Sequence, residues 1–252
     1  FIMEHIYKFS YDSRNDAISS LAKYYSVTYN NLESKLTEVF QYIDQLKDEN
    51  LFEDYASNGL MLYQISCMIN SNLSDVEGAK IRISFYHRCS TNGTLEWFKE
   101  GLLNNVDGIE AFIRKIEKLE PEIKKINLNL ESITAMSRKK EWDTDKSELV
   151  GIHGFYRLRD AKDKTNSGFD IPEILDDYKI YHQIKEKLES TLKSSVVKFY
   201  VDRELSEVHG ILREYWEFLW NDESISYAGI DVGKGKTIPF ENIERLDDIE
   251  SL

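Results

Sequence analysis

A chain of 252 residues carrying 15 Tyr and 4 Trp is long enough for one large domain or two small ones and aromatic enough for a core, which sets aside disorder as its main theme. Its formal net charge of -13 opposes coating of nucleic acid by bulk electrostatics and leaves only a local basic groove for such contact. Two cysteines, Cys67 and Cys89, without a Cys-x-x-Cys pair, point away from a disulfide framework or structural zinc and toward a reducing cytoplasm. No apolar run nears about 18 residues and no basic-then-apolar leader is seen, so membrane spanning and secretion are disfavoured.

From about Asn15 to Ile69 the apolar residues recur at three- and four-residue intervals, through Ile18, Leu21, Tyr24 and Tyr25, then Leu32, Leu36, Val39, Phe40 and Ile43. That period predicts helices, with Asn15-Asp16 as a cap, a break at Ser26 to Asn31, and a third helix from Leu51 to Ile69. Residues 1–78 are expected to form a helical module. Its roles are to bury one face of the following sheet or to position a partner or substrate. Asn70 to Gly78 is polar and turn-like, a soft boundary before a second domain over 79–252.

Ile81, Ile83 and Phe85 alternate with Arg82, Ser84 and Tyr86, the period of a strand with one buried face. The strand runs out through His87, Arg88, Cys89 and Ser90, where reactive groups are commonly presented at the edge of a rigid scaffold. A short helix with Leu95, Phe98, Leu102 and Leu103 follows. Asp107 to Leu130 predicts an amphipathic helix with Ile109, Phe112, Ile113, Ile116 and Leu119 inward, broken or kinked by Pro121; its Lys, Arg and Glu residues make a solvated face, with a nucleic-acid patch as the alternative.

Ser137-Arg138-Lys139-Lys140, close to Trp142, is the most compact basic cluster, able to touch a phosphate backbone and stack a base or to be an exposed loop. Glu148 to Arg159 reads as a glycine-softened strand or strand pair, in which Gly151 and Gly154 let another backbone or a ligand come close. Asp160 to Gly168 predicts a mobile loop, and Pro172 opens a helix. Ser195 to Val201 is a strand by residue type, Glu204 to Trp220 a helix with a broad apolar face, and Ser224 to Val232 a further alternating strand. Gly233-Lys-Gly-Lys236 lacks the spacing of a phosphate-binding loop. Strands separated by helices, without repeats, define an α+β class.

No zinc pattern, nucleophile elbow, Rossmann fingerprint or kinase set is present, so no metal site is expected. His87 and Cys89, two apart on a strand, share a face and could form a dyad if a third group oriented them.

Four pieces in order suggest more: Phe85-Tyr86-His87-Arg88-Cys89-Ser90 leading to Glu100-Gly101-Leu102-Leu103; Gly154-Phe155-Tyr156 with Asp160-Ala161; Glu223-Ser-Ile-Ser-Tyr227; and Ile238-Pro239-Phe240-Glu241-Asn242-Ile243. Together, over roughly Lys80 to Leu246, they resemble the ADP-ribosyltransferase superfamily in its histidine-tyrosine-glutamate branch, with its bacterial toxin and phage-defence relatives.

The resemblance implies a split-sheet catalytic domain that takes NAD as substrate. By it, His87 would hydrogen-bond the adenosine ribose, Tyr156 would stack on nicotinamide, and Tyr86, Phe155 and Ser90 would complete the NAD site. Glu223 would stabilise the oxocarbenium-like transition state as the glycosidic bond breaks. Cys89 stands where a small hydroxyl residue is usual, and Glu204, Glu214 and Glu217 are alternative acids. Arg138, Lys139, Lys140 and Trp142 would face a nucleic-acid acceptor, while the acidic net charge leans toward a protein acceptor or an antitoxin. Two alternatives stand beside it. One is a transferase-fold relative removing a phosphate from RNA with Arg82, Arg88, Arg157 and Arg159; the other is a non-catalytic partner-binding protein.

Overall fold

The computed structural model describes residues 6–71, 80–125, 151–163, 187–204, 207–222 and 230–249. It is a mixed helix and strand structure, in keeping with the α+β expectation. Its main sheet has the order β1-β2-β4-β6, with β1 (Ile6–Phe9) parallel to β2 (Lys80–Thr91) and β6 (Ile243–Asp248) antiparallel to β4 (Lys193–Arg203). The chain divides into two compact units, Phe1–Ser84 with Asp202–Ile225, and Phe85–Val201 with Ser226–Leu252. Each unit is made of two stretches of sequence. No helix among the described residues is long and apolar enough to cross a membrane.

In the first unit, β1 was not foreseen. Tyr7 and Phe9 are buried while Ile6 and Lys8 are exposed, an alternation four residues long. Helix α1 (Arg14–Tyr24) starts one residue earlier than expected and its cap is Ser13, not Asn15-Asp16, because the Ser13 hydroxyl accepts the Asp16 amide. Helix α2 (Tyr29–Asp48) is capped in the same way by Thr28.

The expected third helix is two, α3 (Phe52–Ser57) and α4 (Leu60–Met68). Gly59 between them takes φ +77, which an L side chain rarely adopts, and Asn58 Oδ1 accepts the Leu60 amide to restart the helix. Helix α7 (Val208–Trp220) buries Val208, Ile211, Leu212, Tyr215, Trp216, Phe218 and Leu219 in this unit. Trp216 Nε1 donates to the Tyr25 hydroxyl at 3.3 Å, and Arg14 Nη1 donates to the Leu219 carbonyl at 2.8 Å.

In the second unit, helix α5 (Asn105–Leu119) buries Ile109, Phe112, Ile113 and Ile116. It ends before Pro121, short of the expected Leu130, because proline supplies no amide to continue the helix and Pro121–Lys125 tightens to a 3-10 turn. Of the expected strand or strand pair over 148–159, the described residues 151–159 hold β3 (His153–Gly154), paired with β5 (Ile230–Asp231), followed by a single antiparallel bridge between Phe155 and Tyr86.

Helix α6 (Leu158–Lys162) then begins inside the expected strand and runs through Asp160 to Lys162, the first residues of the expected mobile loop. The cause is a buried ion pair three residues apart: Arg157 Nε and Nη2 donate to Asp160 Oδ2 at 2.5 Å and Oδ1 at 2.9 Å. Most of the expected helix after Pro172, and most of the expected strand over 224–232, lie outside the described residues.

Candidate functional site

Strand β2 carries Phe85, His87, Cys89 and Thr91 on one face and Tyr86, Arg88 and Ser90 on the other, by the pleat. The contacts obey that division. Phe85 packs on Tyr156, with ring centroids 5.1 Å apart, and on Phe199 at 6.2 Å, while Thr91 Oγ1 lies 3.0 Å from Ser195 Oγ. On the other face Tyr86 joins Phe155, Ala161 and Val196 in a core cluster, with Lys198 Nζ 5.9 Å from its ring centroid.

The segments that hold the two halves of the expected NAD site are therefore joined through the backbone. Tyr86 N–H donates to the Phe155 carbonyl at 2.9 Å, and Phe155 N–H to the Tyr86 carbonyl at 2.8 Å. One residue beyond Tyr86 and two before Phe155, the same pairing brings His87 to the main chain of His153. His87 Nδ1 lies 2.8 Å from the His153 carbonyl oxygen. A carbonyl only accepts, so Nδ1 carries the hydrogen and Nε2 keeps its lone pair as an acceptor.

His87 is partly buried, and burial pushes its pKa below the ordinary value of 6.5; the His153 carbonyl opposes this and the nearby His153 ring adds to it. At neutral pH the ring is uncharged, which suits it to accept a hydrogen bond from a hydroxyl or N–H of a ligand.

The five expected NAD contacts thus divide between two faces. His87 and Tyr156 lie on one, Tyr156 only 7% exposed. Tyr86 at 0% and Phe155 at 3% lie in the core on the other, where they support the strand pairing and offer no surface to a ligand. Ser90 is partly buried on that second face. The expected acid Glu223 and the basic group Arg138, Lys139, Lys140 and Trp142 lie outside the described residues.

Of the alternative acids, Glu217 is engaged by Lys47 Nζ at 3.0 Å in the first unit, and the Glu204 amide donates to Oε2 of its neighbour Glu207 at 3.3 Å, closing a local turn. Of the arginines needed for phosphate removal, Arg157 is committed to Asp160, Arg88 Nη1 donates to the Asp163 carbonyl at 3.1 Å, and Arg82 in the first unit pairs with Asp202 at 2.8 Å. Both cysteines are free thiols. Among the described residues, no group of three or more His, Cys, Asp and Glu side chains could hold a metal ion.

Side chains, where a backbone or a ligand was expected, come close at the two glycines. The Asp231 carboxyl group lies against Gly151 where a Cβ would stand, and Phe85 Cβ and Val232 come within 3.2 and 3.4 Å of a Cβ built at Gly154. Asp231 itself was overlooked. It sits in register with His153, and its Oδ2 accepts the Gly235 amide at 2.6 Å. The signal for it lay in the Asp231-x-Gly-x-Gly235 spacing, which suits an aspartate that closes its own turn. The Gly233 to Lys236 turn, with φ +51 at Lys234 and +75 at Gly235, spends that amide internally.

Comparisons of the chain with protein-family models, with curated proteins and with solved structures find no match.

Proposed function

We propose that the chain is an NAD-dependent ADP-ribosyltransferase of the cytoplasm, a bacterial toxin or anti-phage effector that modifies a nucleic-acid or protein acceptor. The observation that carries the proposal is the main-chain pairing of Tyr86 with Phe155, which joins the part of β2 that bears His87 to the Gly154-Phe155-Tyr156 segment. That pairing gives His87 a fixed, uncharged ring beside the face that bears Tyr156.

In this account His87 Nε2 accepts a ribose hydroxyl and Tyr156 borders the nicotinamide. The bond between the ribose C1′ and the nicotinamide nitrogen breaks, its electron pair leaving with nicotinamide. A carboxylate, the role that the family resemblance gives to Glu223, stabilises the positive charge that develops on the ribose, an interaction stronger in the transition state than in the ground state. The acceptor's nucleophile then forms the new bond to C1′ and releases its proton. A calorimetric titration tests the binding half: wild type and E223Q should take up NAD while H87A loses at least tenfold in affinity, and equal affinity for H87A would remove His87 from the site.

A second reading, a non-catalytic partner-binding protein, is favoured by one feature of the first unit. Helix α4 leaves Leu60 at 44% and Tyr63 at 63% exposure, three residues apart on one face.

A further inference from the structure

The ribbon that presents the His153 carbonyl is very short. It consists of two paired positions, His153 with Asp231 and Gly154 with Ile230, extended by the Val232 amide donating to the Ile152 carbonyl at 2.9 Å. So few main-chain bonds specify a register weakly. Side-chain chemistry supplies what they lack. The Asp231 carboxylate fills the space that a side chain at Gly151 would occupy, which fixes the approach of the 151–153 segment. Its Oδ2 takes the Gly235 amide, which closes the turn immediately after β5. Its Oδ1 is buried without a hydrogen-bond partner, so the carboxylate holds this place against a penalty.

We infer that Asp231 is a positioning residue for His87. It clamps β3 against β5, so that the His153 carbonyl stays where it fixes the His87 ring with the hydrogen on Nδ1 and the lone pair on Nε2. The chain of contacts runs from the Gly235 amide to the Asp231 carboxylate, to the β3–β5 pair, to the His153 carbonyl and to His87 Nδ1. What this does for ribose recognition rests on the transferase reading; the clamp itself does not. A competing arrangement is available on the other side of β3, where the Tyr86–Phe155 bridge could hold His153 unaided.

Nitrogen-15 spectra of the histidine rings at pH 8, in wild type, D231A, D231N and G151A, separate the two. Asp231 control predicts His87 as the Nδ1–H tautomer in wild type and in D231N, whose amide oxygen can still accept from Gly235. In D231A, and in G151A where the new methyl displaces the carboxylate without changing any charge, it predicts a mixture of tautomers with the Nδ1–H form no longer dominant. An unchanged His87 signature in both D231A and G151A, or a wild-type ring protonated on Nε2, overturns the inference. G151A keeps the test open if D231A does not fold. NAD titration of the same proteins tells the two failures apart. No NAD binding by wild type with tautomers that follow Asp231 defeats the transferase reading alone. NAD bound equally by all variants with unchanged tautomers defeats the clamp alone.

Discussion

His87 Nδ1 and the main-chain oxygen of His153, 66 residues apart in sequence, lie 2.8 Å from each other and fix which nitrogen of the ring is protonated. The same burial that positions the ring depresses its pKa below 6.5. The unfolded chain therefore binds a proton at His87 more readily than the folded one, so stability falls as pH drops below about 6.5 toward the folded pKa and changes no further from this group below it. Denaturant titrations of wild type and H87Q between pH 8 and 5 check the sign. The variant should lose part of the acid-side slope; a slope equal to wild type would mean that His87 does not contribute to it.

Arg157 and Asp160 form a buried pair, 1% and 5% exposed. Removing one partner strands the other charge in the interior, which typically costs about 3–5 kcal/mol. D160A should therefore unfold at much lower denaturant than wild type. Replacing both residues with leucine should recover much of the loss, because two apolar side chains leave no charge behind.

Gly101 takes φ +90, and a Cβ built on it lies 2.5 Å from the Ile238 carbonyl oxygen and 3.0 Å from Thr237 Cγ2. That oxygen accepts the Leu102 amide, and the Ile238 amide returns a bond to the Leu102 carbonyl, both at 2.9 Å. G101A should destabilise the chain by about 2 kcal/mol, from left-handed strain plus displacement of this bridge. Hydrogen exchange should show the loss of protection centred on Leu102 and Ile238.

Where the periodicity was long, the sequence carried the structure. Ile81, Ile83 and Phe85 alternate over enough residues to define β2, the i, i+3, i+4 pattern from Ile109 to Ile116 defines α5, and Pro121 marks its end because an amide is missing there. What lay hidden was short or non-local. Four residues are too few for an alternation to declare β1, whose partner begins at Lys80. Gly59 resembled any helical glycine until its φ of +77 divided α3 from α4.

The same holds for the site. His87 was visible as a strand histidine, although β2 runs on past it to Thr91, and Tyr156 as an aromatic beside glycines. Tyr86 and Phe155 carry the same residue types, but strand alternation turns them to the opposite face and into the core. Asp231 gave only a local turn signal. Its relation to His87 exists through β3 and could not be read along the chain.

The most direct measurement is transfer of label from NAD by the purified chain in cell extracts, with wild type, H87A and E223Q assayed together and the labelled material digested separately by nuclease and by protease. The account predicts label with wild type, removed by one of the two digestions, and a loss of at least a hundredfold in both variants while each remains folded. Label that persists undiminished in H87A and E223Q, or folded wild-type protein that neither transfers label nor releases nicotinamide in extracts of several hosts, would contradict it.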